Sequence, residues 1–87
     1  SVDVKSSIVN NIGMDIKKNL GSRVKELRLH YGYSQEAFSH ECGLDRTYIA
    51  SLENGRRNVS IENIEKIAIA LNLTVTEFFD SELFSGN

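Results

Sequence analysis

Residues 35–52 read QEAFSHECGLDRTYIASL, and this stretch decides the fold. Gln35 to Cys42 fits two helical turns, and Gly43 follows as a residue that tolerates the positive φ of a tight turn. Ser39 is small, so a second helix can cross the first one there at a steep angle. Apolar residues at helical spacing fix both helices to one core: Phe38, Leu44, Ile49 and Leu52. Together these positions predict a helix-turn-helix unit.

A helix is also predicted before this unit. Apolar residues recur every three or four positions from Asn19 or Ser22 to about Tyr31, which is the spacing of one helical face. Ser34 and Asp45 are typical N-cap residues and predict where the second and third helices begin.

Two more helices are predicted after the unit. Ser60 is the expected N-cap of a fourth helix, which has a wide apolar stripe made of Ile61, Ile64, Ile67, Ala68 and Leu71. Thr74 or Thr76 begins a short fifth helix with an apolar cluster at the end of the chain: Phe78, Phe79, Leu83 and Phe84. We therefore expect an all-α domain of five helices.

The chain divides into an N-terminal extension over residues 1–16 and one domain over residues 17–87. In the extension, the spacing of Ile8, Ile12 and Ile16 favours a further helix, whereas the asparagines and the glycine among them disfavour one. Both alternatives, a helix and a flexible arm, stay open.

The charge is unevenly distributed along the chain. The net charge of −2 comes from ten Lys and Arg against twelve Asp and Glu, and such a mean is not typical of a nucleic-acid binder. Residues 17–57, however, have eight basic and five acidic side chains, a local charge of +3. Residues 58–87 have one lysine and five acidic side chains, a local charge of −4. The basic part of the chain is the part expected to face DNA.

Other classes of function find little support in the sequence. The single cysteine, Cys42, excludes an internal disulfide and a zinc site built on cysteines, and it suits a reducing cytoplasm. His30 and His40 match no metal-ligand spacing, so we expect neither a metal nor another cofactor. No nucleophile motif is present, and we expect the protein not to be an enzyme. No apolar run approaches the length of a membrane span.

The outward face of the third helix favours DNA binding over a helical hairpin that binds nothing. This face consists of slim or hydrogen-bonding side chains: Arg46, Thr47, Tyr48, Ala50 and Ser51. A face that only keeps a protein soluble more often mixes glutamates with lysines. A helix that enters the major groove needs donors near its N-terminus and no carboxylates directed at phosphates.

Residues 20–79, about 70% of the chain, resemble the Cro/repressor helix-turn-helix family of phage and bacterial regulators. Within that family, LDRTYIASLENGRRNVSIENIEKIA, residues 44–68, is especially similar to the controller proteins of restriction-modification systems. The resemblance implies a five-helix, phage-repressor-like fold and a sequence-specific regulator that binds a pseudo-palindromic operator as a homodimer. The controller resemblance further implies a protein that regulates its own promoter.

The resemblance also implies roles for individual residues. Arg46, Thr47 and Ser51 occupy the base-reading positions, where an arginine can donate two hydrogen bonds to a guanine. The positions that contact the DNA backbone are Gln35, Tyr48, Asn54, Arg56, Arg57 and Asn58, although packing at the turn is an equally open role for Tyr48. Arg28 and Glu53 match the positions of a structural ion pair between the first and third helices.

The apolar end of the chain predicts a subunit interface beside the fourth helix, formed by Val75, Phe79, Leu83 and Phe84. The acidic surface of the fourth and fifth helices is a candidate contact for RNA polymerase. Three alternatives remain: a phage-type repressor, an antitoxin of a toxin-antitoxin pair, and, from another class, a helical protein-interaction module that does not bind DNA.

Overall fold

The computed structural model describes residues 15–85, and over this part of the chain the architecture is all-helical without a β-strand. The five α-helices are α1 (Ile16–His30), α2 (Gln35–Cys42), α3 (Arg46–Glu53), α4 (Ile61–Ala70) and α5 (Val75–Phe79), followed by a single 3₁₀ turn at Glu82–Phe84. The prediction of an all-α, five-helix domain is confirmed.

The turn between α2 and α3 has the geometry that the sequence predicts. Gly43 adopts φ 72°, and the Leu44 amide donates to the Ser39 carbonyl at 3.0 Å. The Ser39 side chain is buried where the two helices approach each other, and its hydroxyl donates to the Glu36 carbonyl at 2.7 Å. A positive φ places no strain on a residue that lacks a Cβ atom, so the chain reverses within three residues.

One core joins all five helices. Its fully buried members come from α1, α2, α3, α4 and α5: Val24, Phe38, Ile49, Leu52, Ile67 and Phe78. The core fixes the helix-turn-helix unit from behind, so Arg46 and Thr47 at the start of α3 remain exposed and open to a ligand.

The first helix is longer than predicted. It begins at Ile16, because the Asp15 carboxylate accepts hydrogen bonds from the amides of Lys17 and Lys18 at 3.2 and 3.3 Å. The predicted starts at Asn19 and Ser22 are therefore wrong. The proposed helix or arm over residues 1–16 lies outside the described residues, except for Asp15 and Ile16.

In the C-terminal part of the chain the structure selects one of two predicted caps and differs from prediction in two details. Thr74, not Thr76, caps α5, and together with Glu77 it forms a reciprocal capping box. Leu83 and Phe84 lie on the 3₁₀ turn, because α5 already ends at Phe79. Ile61 was predicted to belong to the buried stripe of α4, but it is 71% exposed on the first turn of that helix.

Candidate nucleic-acid interface

The first turn of α3 is exposed and ready to donate hydrogen bonds. Asp45 is its N-cap, and the next two residues, Arg46 and Thr47, are both exposed. Ser51, one turn later, is half-buried. Within residues 15–85, Arg46 forms no ion pair, so its guanidinium donors are not committed to a carboxylate. Such a helix end can present a free cation and a hydroxyl to a groove.

The loop that follows α3 continues this surface. Asn54, Arg56, Arg57 and Asn58 are all exposed, and Gly55 turns the chain with φ 74°. The loop returns to α3, because the Arg57 guanidinium carbon lies 5.0 Å from the centroid of the Tyr48 ring. This basic loop and the outward face of α3 therefore form one surface.

Tyr48 is half-buried and links three elements. Its hydroxyl accepts a hydrogen bond from Asn63 Nδ2 on α4 at 3.1 Å, while its ring supports Arg57. Of the two roles that the sequence left open, packing is thus observed, and a contact with a DNA backbone stays a prediction.

The N-terminus of α1 lies against the same loop. A Cβ atom on Gly55 would be 3.0 Å from Lys18 Cα and 2.6 Å from its Cγ, so the backbones approach closely here. Lys17 and Lys18 are exposed. Sequence reasoning left these lysines off the candidate site because nothing local reveals that α1 begins beside the loop after α3.

A buried ion pair holds α1, α2 and α3 together. Arg28 Nε and Nη2 donate to the two carboxylate oxygens of Glu53 at 2.7 and 3.0 Å, and Gln35 Nε2 donates to the same carboxylate at 3.1 Å. The Arg28 and Glu53 side chains are 7% and 3% exposed. Gln35 thus braces α3 in this structure, and its contact with the DNA backbone stays a prediction.

Arg23 on α1 binds the end of α5 and is not part of the candidate interface. Its guanidinium donates to the carbonyls of Phe78, Glu77 and Asp80 at 2.7, 3.0 and 3.3 Å, at the end of α5.

Among the residues predicted to form a subunit interface, Val75 is 40% exposed, whereas Phe79, Leu83 and Phe84 are half-buried.

Phe79 and Phe84 make an edge-to-face contact at 4.9 Å, and both pack on the core of the same chain. A more exposed apolar side chain is found on α4, where Ile69 is 68% exposed. Its position outside the buried stripe was the signal in the sequence that it faces solvent.

Residues 15–85 contain no group of three His, Cys, Asp or Glu side chains arranged to hold a metal ion. None of the helices in this range is long and apolar enough to cross a membrane.

Comparisons with known proteins agree with this geometry. A family model described as helix-turn-helix matches residues 24–78. The control protein C.MunI of a Mycoplasma species is 48% identical over 66 residues, which cover 75% of this chain and 89% of that protein. The crystal structure of the restriction-modification controller protein C.AhdI from Aeromonas hydrophila is 45% identical, with a TM-score of 0.69, over 71% of this chain and 94% of that one.

A further solved structure contains DNA. The restriction-modification controller protein C.Esp1396I, solved as a tetramer in complex with its natural 35 base-pair operator, is 34% identical to this chain. The match has a TM-score of 0.68 and covers 71% of this chain and 82% of that one.

Proposed function

The chain belongs to the helix-turn-helix family of DNA-binding regulators, and from this premise we propose that it controls a restriction-modification operon by binding a double-stranded operator. The observation that carries the proposal is the exposed first turn of α3, where Arg46 has no carboxylate partner within residues 15–85. The role is non-catalytic and is exercised in the cytoplasm.

Sequence would be recognised in the major groove by α3. Arg46 and Thr47 lie at its N-terminal end, which enters the groove first in helix-turn-helix proteins, and Ser51 follows one turn later. A guanidinium that donates to O6 and N7 of guanine discriminates against other bases by about 1–3 kcal/mol.

The basic loop would fix the protein on the duplex without reading sequence. Arg56, Arg57, Asn54 and Asn58 are exposed beside α3, and guanidinium and amide donors suit phosphate oxygens. Gln35 and Tyr48 would add to these contacts only after some of their present hydrogen bonds are rearranged or shared, because both already bind side chains of this chain.

The proposal includes a homodimer. One recognition helix spans few base pairs, whereas a two-fold pair presents two helices roughly 34 Å apart to a pseudo-palindrome. The exposed Val75 and Ile69 mark the surface on which a second copy would pack. The assembly of C.Esp1396I on its operator makes such pairing reasonable for a chain of similar fold.

The test is operator selection from random duplexes with the purified protein, followed by substitution of Arg46. We expect Arg46→Ala to weaken binding to the selected operator by about 1–3 kcal/mol and to relax the preference at one base pair. Lys66→Ala on the exposed face of α4 removes the same charge and serves as the control. Equal losses on operator and unrelated DNA for Arg46→Ala would exclude base reading by this residue.

The controller role makes a separate expectation. Footprinting should find a site upstream of the protein's own gene, in an operon that encodes a nuclease or a methyltransferase. A site without such neighbours favours the phage-type repressor, and a neighbouring toxin gene favours the antitoxin. If the protein binds no DNA, the remaining interpretation is a helical protein-interaction module. Contact with RNA polymerase through the acidic α4 and α5 belongs to the same hypothesis and predicts activation.

A further inference from the structure

Tyr48 is the point at which the recognition helix, the basic loop and α4 meet. Its ring lies under the Arg57 guanidinium at 5.0 Å, and its hydroxyl accepts from Asn63 Nδ2 at 3.1 Å. These two contacts use different parts of the side chain, so the ring can support the arginine while the hydroxyl is held in place.

We propose that Tyr48 is a positioning residue that holds Arg57 in place for one DNA phosphate, and that Asn63 fixes the tyrosine. The inference rests on the proposed function and deepens it. Arg57 would touch the DNA, and Tyr48 and Asn63 would act through it. The role of Tyr48 as an independent backbone contact is then unnecessary.

The geometry of Arg57 suits this role. Its side chain is exposed and forms no ion pair among residues 15–85, so its donors are available. A guanidinium above an aromatic ring keeps its N–H groups directed outward in its own plane, where they match two phosphate oxygens. Holding a long side chain in one orientation before binding reduces the entropy that binding removes.

The position of Asn63 is itself fixed. Asn63 lies in the first turn of α4, and its backbone N–H donates a hydrogen bond to the Ser60 hydroxyl at 3.1 Å in the helix cap. The loop between α3 and α4 is anchored at its far end by Val59, which packs against the core. The Tyr48 hydroxyl is therefore hydrogen-bonded to a side chain in a capped helix end.

The test measures how binding to an unrelated duplex depends on salt. Arg57→Gln should reduce the slope of log K against log salt by about 0.9, the value of one phosphate. Tyr48→Leu leaves the charge of the chain unchanged, yet it should reduce the slope by the same amount because Arg57 is no longer held. The double variant should lose no more than Arg57→Gln alone.

Matched variants separate positioning from folding. Tyr48→Phe keeps the ring and should keep the slope, with a loss of affinity of about two- to tenfold for the missing hydrogen bond. Asn63→Ala removes the same bond, so it should cause a similar loss, and combining it with Tyr48→Phe should add nothing. This pair tests the proposal even when Tyr48→Leu fails to fold.

Three results would overturn the proposal. They are an unchanged slope for Arg57→Gln, an unchanged slope for a folded Tyr48→Leu, and additive losses for Tyr48→Phe with Asn63→Ala. Failure of the proposed function looks different, because the unaltered protein would then show no salt-dependent binding to any duplex.

Discussion

At the scale of single residues, Glu53 at the end of α3 connects three helices. Its carboxylate accepts from Arg28 on α1 and from Gln35 at the start of α2, so one buried side chain sets the mutual position of three helices. Arg28 also donates to the Tyr33 carbonyl at 2.8 Å in the turn between α1 and α2. A buried charge of this kind is tolerated because each partner satisfies the other.

We therefore expect Glu53→Ala to lower the free energy of unfolding by about 3–5 kcal/mol, because it leaves the Arg28 guanidinium buried without a counter-charge. Urea denaturation measures this loss. Glu26→Ala is the control: Glu26 pairs with Arg23 at 3.4 Å but is 60% exposed, so its removal should change stability by at most about 1 kcal/mol. Similar losses for both variants would contradict the structural role of the buried pair.

Cys42 is a second residue whose surroundings control its chemistry. Burial in the core, with a smaller contribution from Glu41, raises the pKa of its thiol from 9.0 to about 12. The thiolate is the reactive form, so the folded protein should react with alkylating reagents at pH 8 far more slowly than the chain unfolded in urea. Mass spectrometry after timed alkylation measures both rates, and comparable rates would refute the protection.

The same pKa predicts how stability depends on pH. A pKa raised by folding means that the thiol stabilises the fold fully below pH 9, and that this stabilisation is lost as pH rises from about 9 towards 12. Cys42→Ala should remove this part of the alkaline loss.

At the scale of secondary-structure elements, the contact of α1 with α3 depends on a glycine. A Cβ atom on Gly21 would lie 2.4 Å from the Leu52 carbonyl oxygen and 2.7 Å from that of Glu53. These are backbone atoms at the end of a packed helix, so neither can move without displacing α3. The glycine inside α1 therefore sets the distance between the two helices.

Gly21→Ala tests this contact with two opposing terms. Alanine favours a helix over glycine by about 0.5–1 kcal/mol, but overpacking of a tight contact costs about 1–3 kcal/mol. Because the contacts are with backbone, we expect net destabilisation in thermal unfolding. Ser22→Ala, an exposed position on the same helix, is the control and should be neutral or slightly stabilising. A stabilised Gly21→Ala protein would show that α3 can move away freely.

Arg23 holds the end of α5 on α1. Its guanidinium donates hydrogen bonds to three backbone carbonyls around the end of α5, those of Glu77, Phe78 and Asp80. The Arg23 side chain is only 13% exposed. Arg23→Gln should lower stability by about 1.5–3 kcal/mol and accelerate amide exchange in α5 and the 3₁₀ turn. Lys25→Gln, an exposed position on α1, is the control. Unchanged exchange in α5 would contradict the contact.

The comparison of sequence and structure shows which elements local signals define. Gly43 and Ser60 mark a turn and a helix start through their own φ or their own side chain, so the sequence suffices for them. The start of α5 stayed open between Thr74 and Thr76 until the structure showed the capping box of Thr74 and Glu77. The role of Gly21 has no local signal, because its partner on α3 lies about thirty residues away in the chain. The hydrogen bonds of Arg23 to α5 are equally non-local, and no spacing within α1 reveals them.

At the scale of the whole molecule, the acidic mean charge conceals how the cations are used. Two arginines of α1 are committed inside the protein, Arg23 to carbonyls and Arg28 to Glu53. The cations that remain near the recognition helix are Lys17, Lys18, Arg46, Arg56 and Arg57, all of them exposed. Two of these five cations are the lysines at the N-terminus of α1, because this terminus lies beside the loop after α3. The proposed DNA surface thus uses five of the eight basic side chains of residues 17–57, and base contacts should contribute correspondingly more to affinity.

Assembly is the remaining property of the whole molecule. Phe79 and Phe84 belong to the core of their own chain, so acidic substitutions there would damage the fold and say little about a dimer. Val75 and Ile69 are exposed, at 40% and 68%, and nothing in the described part of the chain covers them. They are the residues with which to test pairing.

Sedimentation at tens of micromolar should show a dimer for the unaltered protein and a monomer for Val75→Asp combined with Ile69→Asp. The melting temperature of the variant should fall only by the amount that dimerisation adds to it, because both side chains face solvent in the single chain. Leu29→Asp, at an exposed leucine on α1, adds one acidic charge elsewhere and should leave the dimer intact. Operator binding should then fall steeply for the double variant, while binding to an isolated half-site should persist, since each α3 is unaltered. A dimer that survives both substitutions would place the interface on another surface, and a monomeric unaltered protein would restrict pairing to the DNA-bound state.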